Sequence, residues 1–154
     1  YLQSNPYDIV MLQEIPYASW NNYNVDVYPY LKEKLDTYQW TYSDDLYTKL
    51  LPSFTALRIG NSTASRIKIE DATSIALTRE PGYFLYFFKK DYRMHITHLE
   101  RAGAQWSIIN VHLSAFDDDS VSIREAQLKE IIAFAASCGM THAKHFQNQS
   151  RIGH

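Results

Sequence analysis

The sequence predicts a single α/β unit in which strands outweigh helices. Three observations carry that expectation. Aromatic residues make up 14% of the 154, twelve of them tyrosine, and aromatic side chains favour pleated, half-buried strands. Short apolar or alternating runs recur along the chain, bounded by turn-forming residues. Only two stretches carry a helical apolar stripe, and neither an internal repeat nor a linker divides the chain.

With 45% apolar and 21% charged residues, the chain has the composition of one globular domain able to bury a core. A net charge of -2 and a pI near 6.3 supply no global basic field, so binding to nucleic acid would have to be local. No apolar run approaches the ~20 residues that span a bilayer. The longest aromatic run, 83–88, stops at Lys89 and Lys90. Cys138, the one cysteine, can form no internal disulfide and reads as a small buried hydrophobe on a helix face. The chain opens at Tyr1 and moves almost at once into a strand-like run, so any leader or anchor would lie upstream and the compartment stays open.

Asp8-Ile9-Val10-Met11-Leu12-Gln13-Glu14 is a continuous apolar run ending in polar groups, too short for a helix. It reads as a central strand covered on both faces. Residues 19–24 read as a loop, and 25–35 as a modest amphipathic helix with Pro29 near its first turn. Strand-like runs follow at 38–42, 53–59, 66–70 and 74–78, with Gly60-Asn61 as a turn. Residues 94–100 and 105–112 flank Arg101-Ala102-Gly103-Ala104, a hairpin signal, and 108–111 reads as a second central, buried strand. A second helix begins with Ser122-Ile123-Arg124-Glu125, a capping-box pattern, and keeps an apolar stripe at Ile123, Leu128, Ile131 and Ala135. Gly139 fits its C-terminal cap, and 140–154 shows no core periodicity.

Two residues stand out chemically. Glu14 ends an apolar strand, where a carboxylate is expensive to desolvate unless paired or bound to a cation; the plainer reading is a solvent-facing strand end. His112 closes the strand carrying Ile108, Ile109 and Val111, where an imidazole can donate to a phosphate oxygen or move a proton near neutral pH. A lone strand histidine is more often structural. His95 and His98, three apart on a strand, face opposite ways and cannot share a metal. His142 and His145 lack cysteine or carboxylate companions, and Asp117-Asp118-Asp119 lacks the spacing of a calcium loop.

Three segments, taken together and in order, resemble the endonuclease/exonuclease/phosphatase superfamily, the group that includes deoxyribonuclease I. Asp8 to Glu14 is similar to its aspartate, hydrophobic run, Gln-Glu motif. Ile59-Gly60-Asn61-Ser62-Thr63-Ala64-Ser65-Arg66-Ile67-Lys68-Ile69 looks like its Gly-Asn…Ser-Arg segment. Ile109-Asn110-Val111-His112-Leu113-Ser114 resembles its Asn-x-His-Leu strand, followed here as there by a helix with an Arg-x-x-Gln pattern at Arg124 and Gln127.

The resemblance implies two packed, mostly antiparallel sheets flanked by helices, an incomplete four-layer sandwich over 1–139, with 140–154 as a tail. It implies metal-dependent hydrolysis of a phosphodiester or phosphomonoester. Glu14 would bind Mg²⁺ or Mn²⁺, Glu14 and His112 would form the catalytic pair, and Asn110 and Gln13 would support them. Arg124 and Gln127 would anchor the helix. The substrate would be nucleic acid, a lipid head group or a small phosphate ester, and no obligate protein partner is evident. The family also uses an upstream Asn, a Gly-Asp-x-Asn motif and an Asp-His pair. This chain begins past the first, and no Gly-Asp or Asp-His dipeptide occurs in it. The expectation is therefore a chain truncated at both ends and impaired in turnover, with a non-catalytic phosphate- or protein-binding module as the alternative.

Overall fold

The computed structural model describes residues 4–5, 7–17, 25–48, 57–79, 91–114 and 120–138. Strand β1 (Ile9–Pro16) leads to helix α1 (Val27–Lys34), then β2 (Gln39–Thr48), β3 (Leu57–Ser65) and β4 (Ile69–Ala76). The hairpin β5 (Arg93–Arg101) and β6 (Ala104–Val111) follows, and helix α2 (Ser120–Ser137) ends the described chain. The strands form two three-stranded sheets, ordered β1-β3-β2 and β4-β5-β6, and every pairing is antiparallel. This is the α+β, two-sheet arrangement expected above.

The apolar groups gather under the helices, one cluster on the outer side of each sheet. Leu35, Tyr38 and Ala64 pack with Val10 and Trp40, while the Tyr28 ring of α1 meets Trp40 edge-on. On the second sheet, Leu77, Tyr92, Met94 and Ile96 pack with Ile109, Val111 and, from α2, Ile131 and Phe134. Between the sheets the chemistry changes. The Thr41 hydroxyl lies 2.9 Å from His95 Nε2 and 3.1 Å from the Thr97 hydroxyl, and Thr63, His95 and Thr97 are all buried. Small polar side chains let the sheets approach and hydrogen-bond across the gap.

Several sequence-based expectations are corrected. β1 and β6 are not central: β3 and β5 occupy the middle of their sheets, and Met11 and Trp106 on the edge strands are exposed. A continuous apolar run does not fix a strand's place in its sheet, and the exposed Met11 shows that the cover expected on both faces of β1 is incomplete. Gly60-Asn61 is not a turn but lies inside β3. There a Cβ on residue 60 would stand 1.9 Å from the Ser43 carbonyl oxygen, so glycine answers close strand approach rather than chain reversal. The runs at 66–70 and 74–78 merge into β4.

In α2, Ser122 is an interior residue because the helix begins at Ser120, and Leu128 faces outward while Gln127 takes the buried position. Cys138 is exposed just past the end of α2 rather than buried. The hairpin falls where the sequence put it. Arg101 pairs with Ala104 across Ala102 and Gly103, whose positive φ values of 53° and 77° suit a tight two-residue turn. Gly139, residues 140–154 and Asp117-Asp118-Asp119 lie outside the described residues.

Candidate active site

The candidate site begins with an irregularity in β1. Leu12 pairs with Ser62 and Ile15 with Gly60, leaving Gln13 and Glu14 together opposite Asn61. Two residues against one is a β-bulge, a device that re-aims a side chain. Glu14 takes a left-handed backbone with φ 54°, a conformation costing a residue with a Cβ ~1–2 kcal/mol. Two side-chain bonds brace the distortion. Gln13 Nε2 donates to the Val111 carbonyl oxygen at 2.6 Å, crossing to the other sheet. The Tyr42 hydroxyl donates to the Ile15 carbonyl oxygen at 2.9 Å. Burial pushes the Tyr42 pKa well up, Asp44 adding to the rise and Arg58 opposing it, so the phenol stays a donor.

His112 arrives from β6, directly after Val111. Its Nδ1 lies 3.3 Å from Glu14 Oε1, with the His112 side chain 22% exposed and the Glu14 side chain 56% exposed. The two sequence candidates therefore share one place but touch directly, where a metal with bound phosphate between them would set them several ångströms apart; the carboxylate reaches solvent and the imidazole is half-sheltered.

Asn110 sits behind them, buried, and donates through Nδ2 to the Leu12 carbonyl at 3.1 Å and the Ser62 carbonyl at 3.0 Å. One amide thus joins the edge of the second sheet to β1 and β3. Gln127 does comparable work below His112: it accepts from the Ser114 N–H at 3.0 Å and donates to the Thr78 carbonyl at 2.7 Å, docking α2 against the segment that follows β6.

The other histidines play different parts. His95, between the sheets with Thr41, has its pKa lowered by burial, partly offset by the Thr73 backbone. His98 Nδ1 lies 2.9 Å from the Ser107 hydroxyl on the neighbouring strand. Sequence reasoning missed Asn61, read as half of a turn, although it stands opposite the bulge that carries Glu14. The Gly-Asn pair was visible; that a close strand approach and not a reversal required the glycine was not.

No protein-family model matches the chain, and no curated protein matches it in sequence. Its shape does match solved structures. An endonuclease/exonuclease/phosphatase from Beutenbergia cavernae superposes with a TM-score of 0.65 at 19% identity, over 86% of this chain. The human Nocturnin catalytic domain, solved with a bound sulfate anion, superposes with a TM-score of 0.57 at 20% identity, over 88% of this chain. The chain has the endonuclease/exonuclease/phosphatase fold.

It spans 36% of the Beutenbergia cavernae chain and 48% of the Nocturnin domain. Among the described residues no helix is long and apolar enough to cross a membrane. Nor do three or more His, Cys, Asp or Glu side chains gather as a metal cluster among them.

Proposed function

We propose that Glu14 and His112 are the working pair of a divalent-metal-dependent phosphoester hydrolase, impaired in this chain. The observation that carries the reading is their meeting at 3.3 Å across two sheets, with the carboxylate held out to solvent in a strained bulge. Backbone strain retained beside two ionisable side chains is the pattern of a functional site. The endonuclease/exonuclease/phosphatase fold supports the same direction, and the sulfate bound by the Nocturnin domain is a tetrahedral anion of phosphate-like shape.

Glu14 is the side chain that would hold Mg²⁺ or Mn²⁺. A single carboxylate fits an ion that leaves most of its positions to water and phosphate oxygens. A cation held there would supply positive charge to a phosphate oxygen and make an attacking water more acidic. His112, half-sheltered beside Glu14, donates to the phosphate or moves a proton. Gln13 and Asn110 fix the strand ends from which both side chains project.

The substrate is a phosphoester: nucleic acid, a lipid head group or a small phosphate ester. The net charge of -2 leans away from an extended polyanion. Among the described residues the site offers one carboxylate, which binds Mg²⁺ weakly, and one imidazole, which cannot serve both as base and as acid, a deficit of ~10²–10⁴ in rate. Turnover by this chain is accordingly slow.

The test is hydrolysis of a chromogenic phosphodiester with Mn²⁺ by this chain and by Glu14→Gln and His112→Asn. Slow turnover lost in both variants is expected. Turnover indifferent to Glu14 overturns the assignment, and robust turnover lost with Glu14→Gln overturns the impairment alone.

A further inference from the structure

Tyr17, Tyr28, Pro29 and Lys32 line an open cavity of about 230 Å³. Tyr28 and Lys32, four residues apart, share one face of α1. Tyr17 directly follows β1, and its N–H donates to the Arg58 carbonyl at 2.8 Å. The Arg58 guanidinium carbon lies 4.5 Å from the centroid of its ring. The two tyrosine rings meet at 5.4 Å, and Tyr42 completes the cluster, 4.8 Å from Tyr28 and 5.7 Å from Tyr17. Mutually packed rings with few rotatable bonds make this wall rigid before anything binds to it.

The wall carries polar groups that the fold leaves unused. Tyr28 is only 8% exposed, yet its hydroxyl has no hydrogen-bond partner among the described residues, although buried tyrosine hydroxyls ordinarily find one. The hydroxyl is not sealed into the core, so a ligand in the cavity can reach it. Burial and the neighbouring Tyr17 hold its pKa above the ordinary phenol value, with Arg58 opposing, so it stays an O–H donor. Lys32 adds a charge. Its ammonium lies 5.6 Å from the centroid of the Tyr28 ring and meets no carboxylate among the described residues. Nearby Arg58 and Lys34, by contrast, are paired with Asp44 and Glu33.

A cavity of ~150 Å³ takes one benzene ring. At about 230 Å³ this one fits a single planar ring system and leaves charged substituents outside. A nucleobase meets each feature. Its flat face suits an aromatic wall, its ring-edge acceptors suit the Tyr28 hydroxyl, and the phosphate on its ribose suits the Lys32 ammonium. An apolar peptide side chain would offer neither acceptor nor charge, and a bare phosphate would leave the cavity empty.

We infer that this cavity binds a nucleoside monophosphate, with the base against Tyr17 and Tyr28 and the phosphate on Lys32. The inference goes beyond the proposed function: it involves neither Glu14 nor His112 and stands whether or not they hold a metal.

The experiment is a metal-free NMR titration of the full chain, labelled with ¹⁵N and ¹³C. The probes are adenosine monophosphate, adenosine and ribose 5-phosphate, and the series is repeated on Lys32→Gln and on Tyr28→Phe, which keeps the packed ring. The nucleotide is expected to shift Tyr17, Tyr28 and Lys32 saturably, with contacts between adenine protons and both tyrosine rings. Adenosine should make the same contacts more weakly, and ribose 5-phosphate should leave the tyrosine signals in place. Lys32→Gln should weaken the nucleotide about two- to five-fold, as for an exposed charge pair, and adenosine not at all. Tyr28→Phe should weaken both about two- to tenfold, the size of one hydrogen bond.

No saturable shift at the cavity overturns the inference, as do shifts centred on Glu14 and His112 in its place. So does ribose 5-phosphate matching the nucleotide at the tyrosines, or nucleotide affinity unchanged in either variant.

Discussion

Glu14 Oε1 and His112 Nδ1 lie 3.3 Å apart although one belongs to the first strand and the other follows the last. The contact exists because β1 and β6 are neighbouring edges of facing sheets, tied by Gln13 to Val111 and by Asn110 to Leu12. The bulge in β1 then turns the carboxylate toward the imidazole.

Glu14 should cost the fold something. At φ 54° a glycine is at home, and relief of the left-handed strain, ~1–2 kcal/mol, outweighs the ~0.4–1 kcal/mol of added freedom in the unfolded chain. Glu14→Gly is expected to unfold in urea at the same or a higher midpoint, gaining up to ~1 kcal/mol, while losing metal binding. A clear drop in midpoint would mean that the carboxylate supports the fold instead.

Gly60 should tolerate no side chain. A Cβ there falls 1.9 Å from a backbone oxygen of β2, so β2 and β3 must separate. Gly60→Ala is expected to lose at least the ~1–3 kcal/mol of an overpacked core. Denaturant unfolding reads the loss directly, and a variant within half a kcal/mol of the parent would show the strands are freer than described.

Asn110 is expected to matter for stability before chemistry. Asn110→Ala withdraws one buried donor from the carbonyls of Leu12 and Ser62, at a cost of ~1–3 kcal/mol. Because the same amide joins the sheets, amide exchange in β1 and β6 should quicken together. Faster exchange in β6 alone would argue against that coupling.

His95 predicts the direction of acid sensitivity. Burial lowers its pKa in the folded protein, so below the unfolded value near ~6.5 the unfolded chain binds the proton more readily. Stability is then full above about pH 7 and falls as pH drops from ~6.5 toward the lowered folded value, levelling off below it. His95→Gln, which keeps a polar partner for Thr41, should flatten that fall. Equal slopes for parent and variant between pH 7.5 and 5 would remove His95 from the explanation.

Much of this was legible in the sequence, for reasons that can be named. The hairpin at Ala102-Gly103 was readable because turn chemistry is local, and the two-sheet sandwich followed from the motif order. Glu14 and His112 stood out because polar groups closing apolar strands are conspicuous. What stayed hidden was set by partners distant in sequence. Whether β1 sits at the middle or the edge depends on which strands flank it, and Gly60 reads as a turn until the Ser43 carbonyl is seen against it. Gln127 replaces Leu128 on the buried face because Ser114 and Thr78 offer it a donor and an acceptor, which hydrophobic spacing cannot reveal. Nothing in the sequence pattern marked Asn61 as the residue facing the bulge.

The central claim is that Glu14 holds a divalent metal beside His112, and site-resolved Mn²⁺ titration tests it most directly. Mn²⁺ added to the labelled chain should broaden NMR signals of Glu14, His112 and their neighbours Gln13 and Val111 first. Inorganic phosphate should tighten that binding, and Glu14→Gln should abolish it while leaving the rest of the spectrum in place. Broadening centred elsewhere, or broadening at this site that persists in Glu14→Gln, would contradict the account.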